Sequence, residues 1–153
     1  MASKLLDKAN LAILNELQQD GRLSYSELGR RVGLSTPAVT ERVRRLEDAG
    51  IIVGYGARID PGALGYTVTA LIEVATPPGR YQQMLEFARA TPAVRECYFV
   101  TGESSFVAKV MTPSVQHLQE LIQQLGFYGS TRTSVVLSQP IIKEAFELGE
   151  GAG

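Results

Sequence analysis

Two helix-start signals stand close together in the first third of the chain, and they leave the backbone little choice. Ser24 sits three residues before Glu27, the capping-box spacing in which a hydroxyl and a carboxyl each satisfy an otherwise unpaired backbone N–H. Gly33-Leu34 follows. Ser35 or Thr36 then offers a second cap, with Pro37 in the first turn, where the N–H that proline lacks has no partner to lose. A short helix, a glycine stop and a new helix are therefore expected between Ser24 and Gly50. Leu28, Val32 and Tyr25 supply the buried stripe of the first of these, and Val39, Val43 and Leu46 fall at i, i+4 and i+7 in the second. Upstream, Leu6, Ala9, Ile13, Leu14 and Leu17 also repeat at helical spacing, with Asp7 as cap and Asp20-Gly21 as stop. Three helices with a tight turn between the second and third make a helix-turn-helix.

The outward face of the third helix carries the chemistry. At about 100° per residue from Val39, Pro37, Ala38, Glu41, Arg44, Arg45 and Asp48 point away from the core, with Thr36 and Thr40 on one flank. Such a helix enters the major groove N-terminus first. Small polar residues there approach base edges, and arginines further along reach phosphates or pair with guanine. The chain as a whole has fifteen Lys+Arg against sixteen Asp+Glu, which excludes a wholesale polyanion binder. Between residues 30 and 45, however, Arg30, Arg31, Arg42, Arg44 and Arg45 stand against Glu41 alone. Ser35, Thr36, Pro37, Thr40, Glu41, Arg44 and Arg45 are thus the expected groove-facing residues. Arg30, Arg31, Arg42 and Arg58 serve phosphates or local ion pairs. Arg42 lies nearer the buried stripe, where an acid of the first or second helix would hold it. After Gly50, the stretch Ile51-Ile52-Val53, Tyr55 and Ile59, broken by Gly54 and Gly56, reads as the ribbon of a wing, with Arg58 placed to touch backbone.

The second half alternates differently. Residues 67–75 form a β-rich run ending at Thr76-Pro77-Pro78-Gly79, and Tyr81, Met84, Leu85 and Ala88 then repeat at helical spacing up to Thr91-Pro92. Residues 94–101 and 106–112 are two strands around Gly102-Glu103-Ser104-Ser105. Pro113-Ser114 starts a helix with Val115, Leu118, Leu121, Ile122 and Leu125 inward, and residues 131–142 supply the last strand. The order β-α-β-β-α-β predicts a ferredoxin-like antiparallel sheet with both helices on one face. The fold class is α+β, with residues 1–60 a winged helix-turn-helix domain, 61–66 a linker and 67–153 an effector and oligomerisation domain. Apolar residues on the far sheet face need a cover, and a second copy packed sheet to sheet is the simplest one, so a homodimer is expected.

One cysteine, Cys97, and one histidine, His117, exclude an intramolecular disulfide and a four-ligand zinc site, and no metal or cofactor is expected. The segment Met1 to Asp7 meets charge before any apolar run develops, and no stretch approaches a membrane span, so the expected setting is the cytoplasm, with no membrane partner. Neither a phosphate-cradling glycine loop nor a nucleophile elbow is present, so no catalytic residue is expected.

The chain resembles the Lrp/AsnC (feast/famine) transcription regulators over nearly its whole length. Leu6-Asp7, Gly33-Leu34-Ser35, Arg42-Val43-Arg44-Arg45-Leu46-Glu47, Gly50-Ile51-Ile52 and Gly102 to Phe106 carry the resemblance. It implies a regulator of double-stranded DNA whose second domain senses an amino acid at sites between subunits, in dimers that often assemble into larger rings. In the family a Gly-x-x-Asp-Tyr loop lies at the ligand site. Here Ser105 stands where the acid often is and Phe106 where the tyrosine often is. A hydroxyl offers only a neutral hydrogen bond to an ammonium group, roughly half as strong as a carboxylate's. Glu103 would then take the ammonium, Gly102 and Ser104 would offer backbone N–H groups to the carboxylate, and Thr131, Thr133 and Ser134 would add hydroxyls from the same or an adjacent subunit. The same four-residue loop also reads as a plain polar hairpin turn. Two rival functions remain: an oligomeric ligand sensor acting through protein partners without DNA, and an enzyme needing a converging carboxylate pair such as Glu73 and Glu96.

Overall fold

The computed structural model describes residues 5–148, so Met1 to Lys4 of the expected leaderless start and residues 149–153 of the expected second domain lie outside it. The described residues fall into two compact units, one running up to Arg58 and resuming at Ile141, the other spanning Ile59–Pro140. No helix among the described residues is long and apolar enough to cross a membrane.

The helical unit contains α1 (Lys8–Gln19), α2 (Tyr25–Val32) and α3 (Thr36–Asp48). Every start is capped by a side-chain oxygen: Asp7 accepts the Asn10 N–H at 2.8 Å, Ser24 the Glu27 N–H at 3.2 Å and Ser35 the Ala38 N–H at 3.4 Å. Each cap of this kind stabilises a helix by about 1 kcal/mol. Ile13, Leu14, Leu28, Val39, Val43 and Leu46 form the core. Tyr25, expected in that stripe, is 39% exposed, because the first residue of α2 lies outside the arc that Leu28 and Gly29 bury. The turn folds back onto α2: the Leu34 N–H donates to the Gly29 carbonyl at 2.8 Å, and Gly33 closes the helix in the left-handed conformation. A Cβ on Gly29 would lie 2.6 Å from the Leu34 carbonyl oxygen, inside contact distance.

The expected wing is not built as a ribbon. Ile51 and Ile52 both donate N–H groups to the Leu46 carbonyl, at 2.9 and 3.1 Å, and pack on the helical core, while residues 53–60 run without strand partners. Gly54 at φ 154 interrupts the alternation, and no second strand is in reach to complete a ladder. The helical unit is instead finished by the far end of the chain. The Gln18 side-chain amide exchanges two hydrogen bonds with the Phe146 backbone, at 2.7 and 3.2 Å, Asn15 donates to the Leu148 carbonyl, and Leu148 packs against the core. Residues 141–148 therefore belong with the helices and not with the sheet domain in which the sequence places them.

The second unit holds β1 (Val68–Ala75), α4 (Tyr81–Ala90), β2 (Val94–Phe99), β3 (Phe106–Thr112), α5 (Val115–Gly126) and β4 (Ser130–Val135). The strand order is β2-β3-β1-β4 with every pair antiparallel, the ferredoxin-like arrangement. Ala70, Ile72, Val74, Phe106, Ala108 and Val110 pack against Met84, Leu118, Leu121 and Leu125 of the two helices. The alternate residues Leu71, Glu73, Val107, Lys109 and Met111 occupy the other face. Two strands end earlier than their composition suggests. After Phe99 the Val100 N–H turns to the Ser105 carbonyl and closes the hairpin, and after Val135 the Val136 N–H makes the last ladder bond, to Thr69, before β1 runs out and Pro140 removes a donor. The expected linker carries a 3₁₀ turn, Gly62–Leu64, started by the Asp60 carboxylate accepting the Gly62 N–H at 3.0 Å.

Gly29→Ala replaces glycine inside a helix, a change worth about 1 kcal/mol in favour of the helix on propensity alone. The Leu34 carbonyl reverses the sign: the variant is expected to lose about 1–3 kcal/mol through overpacking, read as a lower denaturation midpoint for the helical unit.

Candidate nucleic-acid interface and small-molecule site

α3 presents the expected face. Ser35, Thr36, Pro37, Thr40, Glu41, Arg44 and Arg45 are all exposed, and Val39, Val43 and Leu46 behind them are fully buried. Thr40 donates its hydroxyl to the Thr36 carbonyl at 2.8 Å, leaving its lone pairs outward. Arg45 pairs with Glu41 at 2.9 Å and Arg44 lies 3.7 Å from Asp48, both one helical turn apart, with the two arginine side chains 64% and 74% exposed. Exposed pairs at this spacing contribute about 0.3–0.5 kcal/mol. Both guanidinium groups are thus held loosely and can exchange an internal acid for a phosphate or a base edge.

The other arginines are committed inward. Arg42 donates to both oxygens of Asp7, at 2.8 and 3.0 Å, and to Asn10 Oδ1 at 3.0 Å, so it is a structural residue tying α3 to the start of α1, and its hydrogen bond holds the Asp7 carboxyl below its usual range. Arg31 pairs with Glu16 at 2.9 Å and with Glu27 at 3.0 Å, Arg30 pairs with Glu27 at 2.7 Å, and Arg58 pairs with Glu144. Arg31 and Arg58, expected to touch DNA, spend their charge inside the helical unit. The local positive excess largely disappears once Asp7, Glu16, Glu27, Glu41 and Asp48 are set against the five arginines. The turn-spaced partners were readable as i+3 and i+4 pairs. The Asp7 and Glu16 contacts cross between helices and were not.

In the sheet unit, the loop between β2 and β3 turns at Gly102, φ 113, a conformation that favours glycine. Side chains leave this loop in opposite directions. Ser104 donates to Glu73 Oε2 at 3.0 Å on the open face. Ser105 turns the other way, donating to the Thr76 carbonyl at 2.9 Å and meeting Tyr81 Oη at 3.2 Å, while Phe106 is a core residue at 1% exposure beneath Tyr81 and Phe99. Two adjoining depressions are lined in common by Glu73, Glu103, Ser104 and Arg132, the larger of about 370 Å³ also by Thr101 and Val107, the smaller of about 150 Å³ by Ser130 and Thr131. Of the expected effector residues, Glu103, Ser104 and Thr131 are brought together beside Gly102. Thr133 pairs with Ile72 on the helix-covered side, and Ser134 lies opposite Leu71, away from the loop. Arg132 was missed, although the alternation of β4 places it beside Glu73 of β1.

Glu73 and Glu96 do not form a shared carboxylate centre. Glu96 is engaged by Tyr98 Oη and by Lys109 at 3.0 Å, contacts that hold its carboxyl low, the tyrosine first, whereas Glu73 meets Ser104 and Arg132. Burial pushes the Cys97 thiol up, away from reactivity. His117 Nδ1 sits 2.8 Å from Ser114 Oγ at the start of α5.

Arg30 and Arg31 pull the Glu27 carboxyl from 4.5 down to about 2. A depressed folded-state value means the contribution is complete above pH 4.5 and is lost as pH falls through about 2. Glu27→Gln is expected to flatten the acid limb of the stability curve in that window, measured as the denaturation midpoint against pH, with the two proteins converging toward pH 2.

Comparison with known proteins matches two family models in tandem, a winged helix-turn-helix DNA-binding model over residues 6–53 and an Lrp/AsnC ligand-binding-domain model over residues 69–146. An uncharacterized HTH-type transcriptional regulator of Bacillus subtilis, YezC, is 43% identical over 92% of this chain and 100% of its own length. The leucine-responsive regulatory protein of Escherichia coli is 35% identical over 89% of this chain and 87% of its own length. Among solved structures, LrpC of B. subtilis superposes with a TM-score of 0.85 at 34% identity, covering 90% of this chain and 98% of LrpC. A feast or famine regulatory protein of Mycobacterium tuberculosis complexed with L-methionine gives 0.85 at 33%, covering 94% and 99%. The chain belongs to the Lrp/AsnC family of DNA-binding transcriptional regulators.

Proposed function

We propose that this regulator reads double-stranded DNA in the cytoplasm with α3, using Ser35, Thr36, Pro37, Thr40, Glu41, Arg44 and Arg45, and that an amino acid bound beside the Gly102–Ser104 loop modulates that binding. The carrying observation is the face of α3 itself: a capped, unobstructed N-terminus, small polar residues after it, then two exposed arginines held only by turn-spaced acids. The L-methionine complex of the mycobacterial relative supports an amino-acid effector. The working unit is a homodimer, able to assemble further, whose subunits meet through the uncovered sheet face. Leu71 there is 41% exposed and Tyr98 52%, with Val107 and Met111 between them, an apolar surface that association would remove from water. A two-fold dimer also presents two α3 helices to the half-sites of a palindromic operator.

The test is binding of the purified protein to the DNA upstream of its own coding region at two salt concentrations, with amino acids added in turn. Affinity that falls steeply with salt and shifts with an amino acid supports the reading, since neutralised phosphates release counterions. A flat salt response overturns it. Arg44→Ala is expected to weaken the specific site by about 1–3 kcal/mol while leaving random DNA little changed, as loss of a guanine contact requires. Leu71→Asp is expected to convert the dimer to a monomer in sedimentation analysis at unchanged helical content.

A further inference from the structure

An α-amino acid carries one ammonium and one carboxylate, and a site for it must answer both. Resting on the effector reading above, we propose that this chain holds the amino-acid head group between Arg132 and Glu73 on the open sheet face, with Glu103 as second carboxylate, and that Ser105 takes no part.

Ser105 is already spent. Its hydroxyl donates to the Thr76 carbonyl, its second contact is Tyr81 Oη, and its N–H donates to the Val74 carbonyl at 3.0 Å. Nothing on it faces the open side. The opposite is true of the cluster one residue earlier. Ser104 donates to Glu73 Oε2 and so fixes the carboxylate, while Glu73 Oε1 accepts no hydrogen bond from a described residue. Arg132 Nη1 stands 3.7 Å from the same Oε2, beyond hydrogen-bond distance, and its side chain is 71% exposed. A loose exposed pair of this kind contributes little, so opening it costs little.

A zwitterion replaces that pair with two better ones. The guanidinium fork of Arg132 takes the ligand carboxylate with two parallel hydrogen bonds, and the free Oε1 of Glu73 together with Glu103 takes the ammonium. Both depressions are lined by all four of Glu73, Glu103, Ser104 and Arg132, so the head group sits where they adjoin, and the side chain extends over Val107 in the larger one. Charge matching also sets the ligand class. A lone carboxylate would place its charge among two glutamates, and a lone amine would meet Arg132, so neither half substitutes for the whole.

The experiment is calorimetric titration of the full-length protein with L-leucine and L-methionine. For whichever binds, it adds the amine left by removing the carboxylate and the acid left by removing the ammonium. Both analogues are expected to bind at least about tenfold more weakly, as are Arg132→Ala and Glu73→Gln, with Arg132→Lys recovering part of the loss and Ser105→Ala staying near wild type. The analogue arm uses the unaltered protein and does not depend on any variant folding. If either half-ligand binds as well as the amino acid, or if Arg132→Ala and Glu73→Gln bind it normally while it still shifts DNA affinity, the head-group assignment falls and the effector reading stands. If neither amino acid binds the wild-type protein, both fall, and the DNA-binding reading is unaffected.

Discussion

Asp7 does two things at once, and the placement of α3 depends on the second. Its carboxylate caps α1 through the Asn10 N–H and receives the guanidinium of Arg42. Asn10, 4% exposed, closes the triangle by accepting from Arg42 and donating to the Leu5 carbonyl. Every polar atom drawn into this junction finds a partner, which is the condition under which a partly buried charge stabilises rather than strains. With Val39, Val43 and Leu46 in the core on one side and Arg42 clamped to α1 on the next, α3 has no freedom to roll about its axis. Its remaining face is then the one with Thr36, Glu41, Arg44 and Arg45.

That division of labour among arginines makes sense of a chain with nearly balanced charge. Arg30, Arg31 and Arg42 hold helices to one another, while Arg44 and Arg45 are parked on acids of their own helix. A parked arginine keeps the free protein close to neutral along α3 and becomes positive toward a ligand only when a stronger acceptor, such as a phosphate, displaces its carboxylate. Nonspecific attraction is thereby restrained without removing the groups that read DNA.

The helices and caps were legible in the sequence because their causes are local. Ser24, Ser35 and Asp7 cap as their spacing predicts, and the strand order follows from alternation and length. The misreadings come from partners distant in sequence. Ile51 and Ile52 look like the start of a ribbon, yet what decides them is the Leu46 carbonyl and the helical core. Residues 136–142 continue the β composition of β4, but β1 offers no further backbone to pair with. At the small-molecule site, the loop was legible and its inventory was only half right. Strand pairing, invisible in one dimension, sends Ser105 and Phe106 inward and brings Arg132 to Glu73.

The return of residues 141–148 to α1 makes the helical unit discontinuous, with the whole sheet inserted between its two pieces. A ribosome releases the three helices first, but the segment bearing Leu148 emerges only after the sheet has been synthesised, so the DNA-reading unit is the first begun and the last completed. A nascent or prematurely ended chain therefore exposes part of the surface that this segment covers. Cutting the protein after Arg58 would yield a fragment lacking a piece of its own interior.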